Sequence, residues 1–249
     1  MKVAHQVRHR VSFAHGIGED LGLTDDTHTD ISIGFPFRYY GMWYDSITVC
    51  SNGWISVEPS AIDYFWNFSI PMSMGPFGMI APFMDDLDDN DGTEPFHVYA
   101  WQDASNGRLI IQWDNVANGE DDESCPDCVR ETFQLILYDP SLYPTATGDG
   151  EIVFQYQEIN DIDANGNYST VGIESPDQNL GVQYLFNQNL AANGAQSSCL
   201  ILENFNRIVA ATFSIRSWLP NNHRFFGVAT FLKMGRIWTY FWRASFKIY

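Results

Sequence analysis

The sequence predicts an all-β protein, an antiparallel β-sandwich of jelly-roll-like build, over most of its 249 residues. Short runs of β-branched and aromatic residues alternate with polar ones at period two. Turn signals rich in Gly, Asn, Asp and Pro separate these runs at short intervals. Almost no stretch sustains the period of an amphipathic helix. Strands and turns this frequent indicate two packed antiparallel sheets.

The first strand runs through residues 30–37, where alternation puts Ile31, Ile33, Phe35 and Phe37 on one face. Gly34 and Gly41 bracket its apolar part, and Pro36 marks an edge strand or a bulge, because proline cannot donate to a ladder. Residues 46–57 read as two short strands about Asn52-Gly53, the pair best suited to a type I′ turn, with Trp54 as a large core anchor. Residues 79–84 form a buried strand that runs into an acidic loop. Residues 97–101 and 108–113 flank Asn106-Gly107 as a second hairpin. Residues 132–138 make a long strand. Asp149-Gly150 then turns the chain tightly into the strand at 150–156, and runs at 168–174 and 181–186 complete the series.

Charge divides the chain into three. All 31 acidic residues lie between Glu19 and Glu203, a stretch whose only basic residues are Arg38, Arg108 and Arg130. Lys2, Arg8 and Arg10 precede it without an acid, and seven basic residues follow it without one. The expected organisation is an extension at 1–15, a β-sandwich body at 16–215 and a basic aromatic tail at 216–249. Two readings of the tail stand: non-native or out-of-frame sequence, and a genuine cationic extension whose aromatic stripe could lie on an anionic membrane. The tail's longest uncharged run, Phe225 to Leu232, is too short to span a bilayer, so no membrane span is expected.

A net charge of -18 excludes a nucleic-acid surface, since phosphate affinity rests on Lys and Arg. It suits a salty, calcium-containing exterior in which carboxylates hold cations or stay hydrated. The N-terminus has no apolar stretch of the signal-peptide kind, so the expectation is an internal piece of a longer secreted chain. Four cysteines make no disulfide framework at this length. Cys125 and Cys128 are spaced to grip one metal or act as a redox pair, but a structural zinc needs four ligands and no second such pair exists. A local disulfide or a reduced pair in the loop is the plainer reading. Cys50 reads as core, and Cys199 carries no signal.

The richest site candidate is Asp85, Asp86, Asp88, Asp89 and Asp91, with Asn90 among them: hard oxygens that repel one another unless a cation sits between them. Calcium, taking six to eight oxygens, is the natural occupant. Solvation of the loop and capping of backbone N–H groups by Asp85 and Asp86 are the competing readings. The acids at 120–123 read as solvated. Asp161, Asp163 and Asn165 form a second, weaker calcium-loop pattern without a clear downstream acid. No GxSxG, HExxH or phosphate-loop motif is present, and neither His28 nor His97 adjoins a nucleophile phrase. Paired carboxylates for glycoside hydrolysis cannot be nominated from such crowded clusters. No catalytic residue is expected. Tyr64, Trp66 and Trp101 are aromatics that could stack on sugar rings or serve in the core.

Several phrases carry a family resemblance: residues 34–41 (GFPFRYYG), 49–56 (VCSNGWIS), 79–87 (MIAPFMDDL) and 171–184 (VGIESPDQNLGVQY), with 133–140 and 148–156 between them. Their order resembles a β-sandwich accessory domain of large secreted bacterial proteins. That module is found beside gingipain-type cysteine peptidase or subtilisin-like domains, often with a type IX secretion sorting domain. The phrases are also similar to the extracellular nidogen-type module. Met84 departs from the pattern, which usually has Trp there. The resemblance covers about residues 16–215 and implies a secreted or cell-surface setting, with neighbouring domains of a larger protein as partners. It implies context more than chemistry. The leading functional expectation is a non-catalytic interaction or support module, calcium-stabilised through the acidic loops. The alternatives are a calcium-dependent carbohydrate- or matrix-binding module with a glycan or extracellular protein as partner, and a fragment of a gingipain-like peptidase whose catalytic domain lies elsewhere.

Overall fold

The structure, a computed structural model, describes residues 11–13, 16–88, 96–119, 130–160, 169–188, 190, 198–203, 212–218, 224–234 and 237–243, with side chains described as far as Leu190. Their regular secondary structure is β-strand apart from one short 3-10 turn, and it forms two antiparallel sheets.

The first sheet starts from β1 (Glu19–Asp20), β6 (His97–Asp103), β7 (Arg108–Val116), β8 (Glu131–Tyr138) and β9 (Ile152–Glu158), side by side in that order. It continues through β12 (Ser198–Glu203), β13 (Thr212–Trp218), β14 (Arg224–Met234) and β15 (Ile237–Arg243), each paired antiparallel with the one before. Strands β13 to β15 thus occupy the segment whose charge rules differ from the body. The second sheet has the order β11 (Gly181–Phe186), β10 (Thr170–Glu174), β5 (Met79–Met84), β4 (Trp54–Ser56), β3 (Met42–Cys50) and β2 (His28–Tyr39). Neighbours are mostly consecutive in sequence, so the sandwich is built from meanders.

One core lies between the sheets. Ile33, Phe37, Ile47, Val49, Ile80 and Phe83 of the second sheet meet Leu109, Ile111, Trp113, Phe133, Leu135 and Phe154 of the first. The predicted face of β2 is correct: Ile33 and Phe37 are fully buried, with Ile31 and Phe35 packed against the same core. Phe83 and Phe133 meet across the sandwich at 5.2 Å between ring centroids. Hydrogen bonds also cross it, from Tyr156 Oη to the Pro82 carbonyl (2.7 Å) and from Trp113 Nε1 to the Ser51 carbonyl (3.0 Å). Each removes a buried donor that would otherwise go unpaid.

Pro36 sits where its chemistry requires, on an edge strand and inside a register shift between Ser32 and Phe37. The turns differ from expectation. Cys50 pairs with Trp54 around the three-residue connection Ser51–Gly53, in which Gly53 has positive φ (73°) and Asn52 does not. This is not the expected type I′ turn, which needs positive φ at both central residues. Asn52 instead turns its side chain inward. The type I′ geometry falls at Tyr40 and Gly41 (φ 48° and 83°), between the paired Tyr39 and Met42. Asp149 holds that turn by accepting a bond from the Gly41 N–H at 2.9 Å.

The outer face of the first sheet is also covered at its centre. All eight residues of β8 are buried, so both of its faces are packed. Val11, 4% exposed, sits on Ile110, Ile136, Tyr138 and Val153, and its carbonyl accepts from Gln134 Nε2 at 3.3 Å. Packing of the body therefore reaches residues N-terminal to the charge boundary.

Candidate metal centre

The end of the sandwich beside the Ser51–Gly53 turn gathers three loops. Asn52 joins them. Its Nδ2 donates to Asp26 Oδ1 (2.7 Å) and to the Asp63 carbonyl (2.8 Å), and its Oδ1 accepts from the Leu87 N–H (3.0 Å). Asn52 is fully buried, so each of these bonds forms away from competing water. Ser51 adds two more ties: its Oγ accepts from the Thr27 N–H, and its N–H donates to the Thr27 carbonyl. Gly53 is required because an added Cβ would stand 1.7 Å from the Phe83 carbonyl oxygen.

This arrangement brings together Asp25 and Asp26 from the loop before β2 and Asp86 from the loop after β5. Each offers one carboxylate oxygen, and the three oxygens lie within 4.8 Å of one another. Oxygens bound to one Ca2+ at 2.3–2.6 Å are separated by at most about 5 Å, so the spacing suits a shared cation. Asp26 takes the left-handed conformation (φ 46°), which a short polar side chain tolerates, and its Oδ1 also accepts from the Phe65 N–H at 3.1 Å. Asp86 is held through its backbone, its N–H donating to Asp85 Oδ1 (3.0 Å) and its carbonyl accepting from the Gly119 N–H (2.8 Å).

Of the acids read from sequence, Asp86 is therefore at the convergence point. Asp85 is buried and caps a backbone N–H, the role that competed with metal binding. Asp88 is half-buried and flanks Gly119. Asp89, Asp91, Asp161, Asp163, Asn165, Cys125, Cys128 and the acids at 120–123 lie outside the described residues. Asp25 and Asp26 were not singled out in sequence, and no spacing rule links them to Asp86 some sixty positions on. Asn52, taken as a turn former, is the residue that could have pointed to them.

Other titratable groups sit in local pairs or in the core. His28 and His97 pair with Asp63 (3.0 Å) and Asp20 (2.8 Å). Cys50 is the register partner of His28, yet its thiol is buried and pushed up to about 12, the opposite of what a nucleophile needs. Glu174, at the end of β10, is fully buried, and burial pushes its carboxyl up to about 7 against a backbone bond from Met72 (3.1 Å). Tyr64 and Trp66 are exposed and Trp101 is half-buried.

A family model described as NIDO related matches residues 12–213, from β1 through β12 to the first residues of β13. The chain belongs to the NIDO-related family. That family sets it among extracellular-type modules, in agreement with the nidogen-type phrases of its sequence. The NIDO-related match begins beside Val11, the residue that the first sheet buries. No curated protein and no solved structure matches the chain. Among the described residues no helix is long and apolar enough to cross a membrane.

Proposed function

We propose that this chain is a non-catalytic module of an extracellular protein that spaces or supports neighbouring domains, stiffened by calcium at Asp25, Asp26 and Asp86. The convergence of these three carboxylates from two loops, fixed to the sandwich through Asn52, carries the proposal. Three like charges this close cost free energy that a divalent cation offsets, and extracellular calcium is abundant enough to occupy modest sites. Membership of an extracellular-type family supports the setting. Peptidase domains of gingipain or subtilisin type are the neighbours that the sequence phrases favour. The inert Cys50 thiol and the paired histidines support a role without catalysis.

The test is thermal unfolding of the full chain in calcium and in EDTA. Binding to the folded state alone raises the midpoint by several degrees, and Asp86→Asn should abolish most of that rise. Equal midpoints with and without calcium would reduce the cluster to solvated surface. Hydrolysis of casein or of a glycan substrate by the purified chain would overturn the non-catalytic assignment.

A further inference from the structure

The outer face of the first sheet carries a row of glutamines in register: Gln112 of β7 opposite Gln134 of β8, and Gln134 opposite Gln155 of β9. Gln112 is 6% exposed and Gln134 fully buried. Gln134 spends its Nε2 on the Val11 carbonyl and on Gln155 Oε1, which fixes the orientation of its amide. Gln134 Oε1 and Gln112 Nε2 then have no hydrogen-bond partner among the described residues. Both side chains line a small cleft walled by Tyr99 and Trp101 of β6, with Ile110 and Ile17 beside them and Ser12 at the rim. A buried donor and a buried acceptor, each unpaired, cost free energy that a complementary ligand recovers.

We infer that this cleft is a subsite for a neutral sugar, one hydroxyl of which inserts between Gln112 Nε2 and Gln134 Oε1 while the ring lies against Trp101. A hydroxyl both donates and accepts, so a single group satisfies the two amide atoms at once. The enclosed part of the cleft admits about one water-sized group, so the hydroxyl enters and the ring stays outside. The lining holds no charged side chain, which disfavours ionic ligands. Trp101 and Tyr99 are each half-buried, Tyr99 with His97 stacked on it at 5.7 Å, and the aromatic surface they leave open suits the apolar face of a sugar ring. The site lies on the opposite sheet from Asp25, Asp26 and Asp86 and does not depend on the cation proposed there.

The experiment is a titration of the full chain, in EDTA, with the methyl glycosides of glucose, galactose, mannose and N-acetylglucosamine, with acetamide as a non-sugar amide. Binding is read from the Trp101 indole N–H signal in 15N spectra. At least one glycoside should shift that signal saturably. Gln112→Met, which keeps the length and removes the donor, should weaken binding about tenfold, the loss of one buried hydrogen bond. If Gln112→Met does not fold, transfer of saturation from the Tyr99 and Trp101 rings to the glycoside in the unaltered chain decides the location. No shift with any glycoside means the cleft holds a water and overturns the inference. Binding of acetamide alone, or glycoside binding indifferent to Gln112→Met, overturns it as well. Because EDTA is present throughout, failure here leaves the calcium proposal standing, and failure of calcium binding leaves this one.

Discussion

Asn52 Nδ2 donates to Asp26 Oδ1 at 2.7 Å, and by that bond a buried hairpin residue holds one ligand of the candidate metal centre. The same side chain also holds the Asp63 and Leu87 backbones. Asn52→Ala should cost about 3 kcal/mol, the sum of three buried hydrogen bonds at about 1 kcal/mol each. Urea unfolding measures it, and a loss under about 1 kcal/mol would mean that the loops hold themselves. The variant should also lose the calcium-dependent rise in midpoint.

Gly53→Ala places a Cβ 1.7 Å from the Phe83 carbonyl oxygen at a residue with φ of 73°. Backbone on backbone cannot give way as a flexible side chain would, so the expected cost exceeds about 4 kcal/mol. Gly16→Ala is the control. Its φ is similar (69°) but nothing lies within 4 Å of the added atom, and it should cost about 1 kcal/mol. Equal midpoints for the two variants would show that conformation, not the close approach, selects glycine at position 53.

Glu174 makes stability fall as pH rises. Its folded carboxyl is raised from 4.5 to about 7, so its contribution is complete below about pH 4.5 and is lost as pH rises through 7. A shift of that size corresponds to roughly 3 kcal/mol at most. Glu174→Gln should flatten the stability profile across this window in urea titrations. A variant as pH-dependent as the parent would place the titration elsewhere.

Asp103 acts in the opposite sense. Burial pushes its carboxyl up, but bonds from Ser105, Asn106 and Arg108, with the charge of Arg108, outweigh burial and hold it below the usual range. Its contribution is present above its ordinary value of 3.8 and is lost as pH falls through its lowered value. Arg108 reaches it at 2.8 Å with little exposure on either side. Arg108→Leu should therefore move acid unfolding to higher pH, as followed by circular dichroism.

The strands were legible because alternation and turn chemistry act locally. Ile33 and Phe37 face the core as their spacing requires, and Pro36 lies on an edge. The Tyr40-Gly41 turn was hidden because tyrosine rarely takes positive φ; a bond from the Gly41 N–H to Asp149, over a hundred positions away, helps hold it. The candidate metal centre was half legible. Asp86 belongs to a dense acidic run, whereas Asp25 and Asp26 meet it through the ties that Asn52 and Ser51 make to their loop. Gln112 and Gln134 gave no signal, since a polar residue at an outward position of a strand reads as solvated until something covers that face.

Val11 is the first of the described residues to be synthesised and among the last to find its place. Its seat needs Ile110, Ile136 and Val153, so it is complete only after β9 has been made. Through that interval the apolar patch of Ile110 and Ile136 on the outer face is uncovered, open to whatever strand or partner arrives first. Val11 is thus a late fastener, whose seat is incomplete until the second half of the body exists.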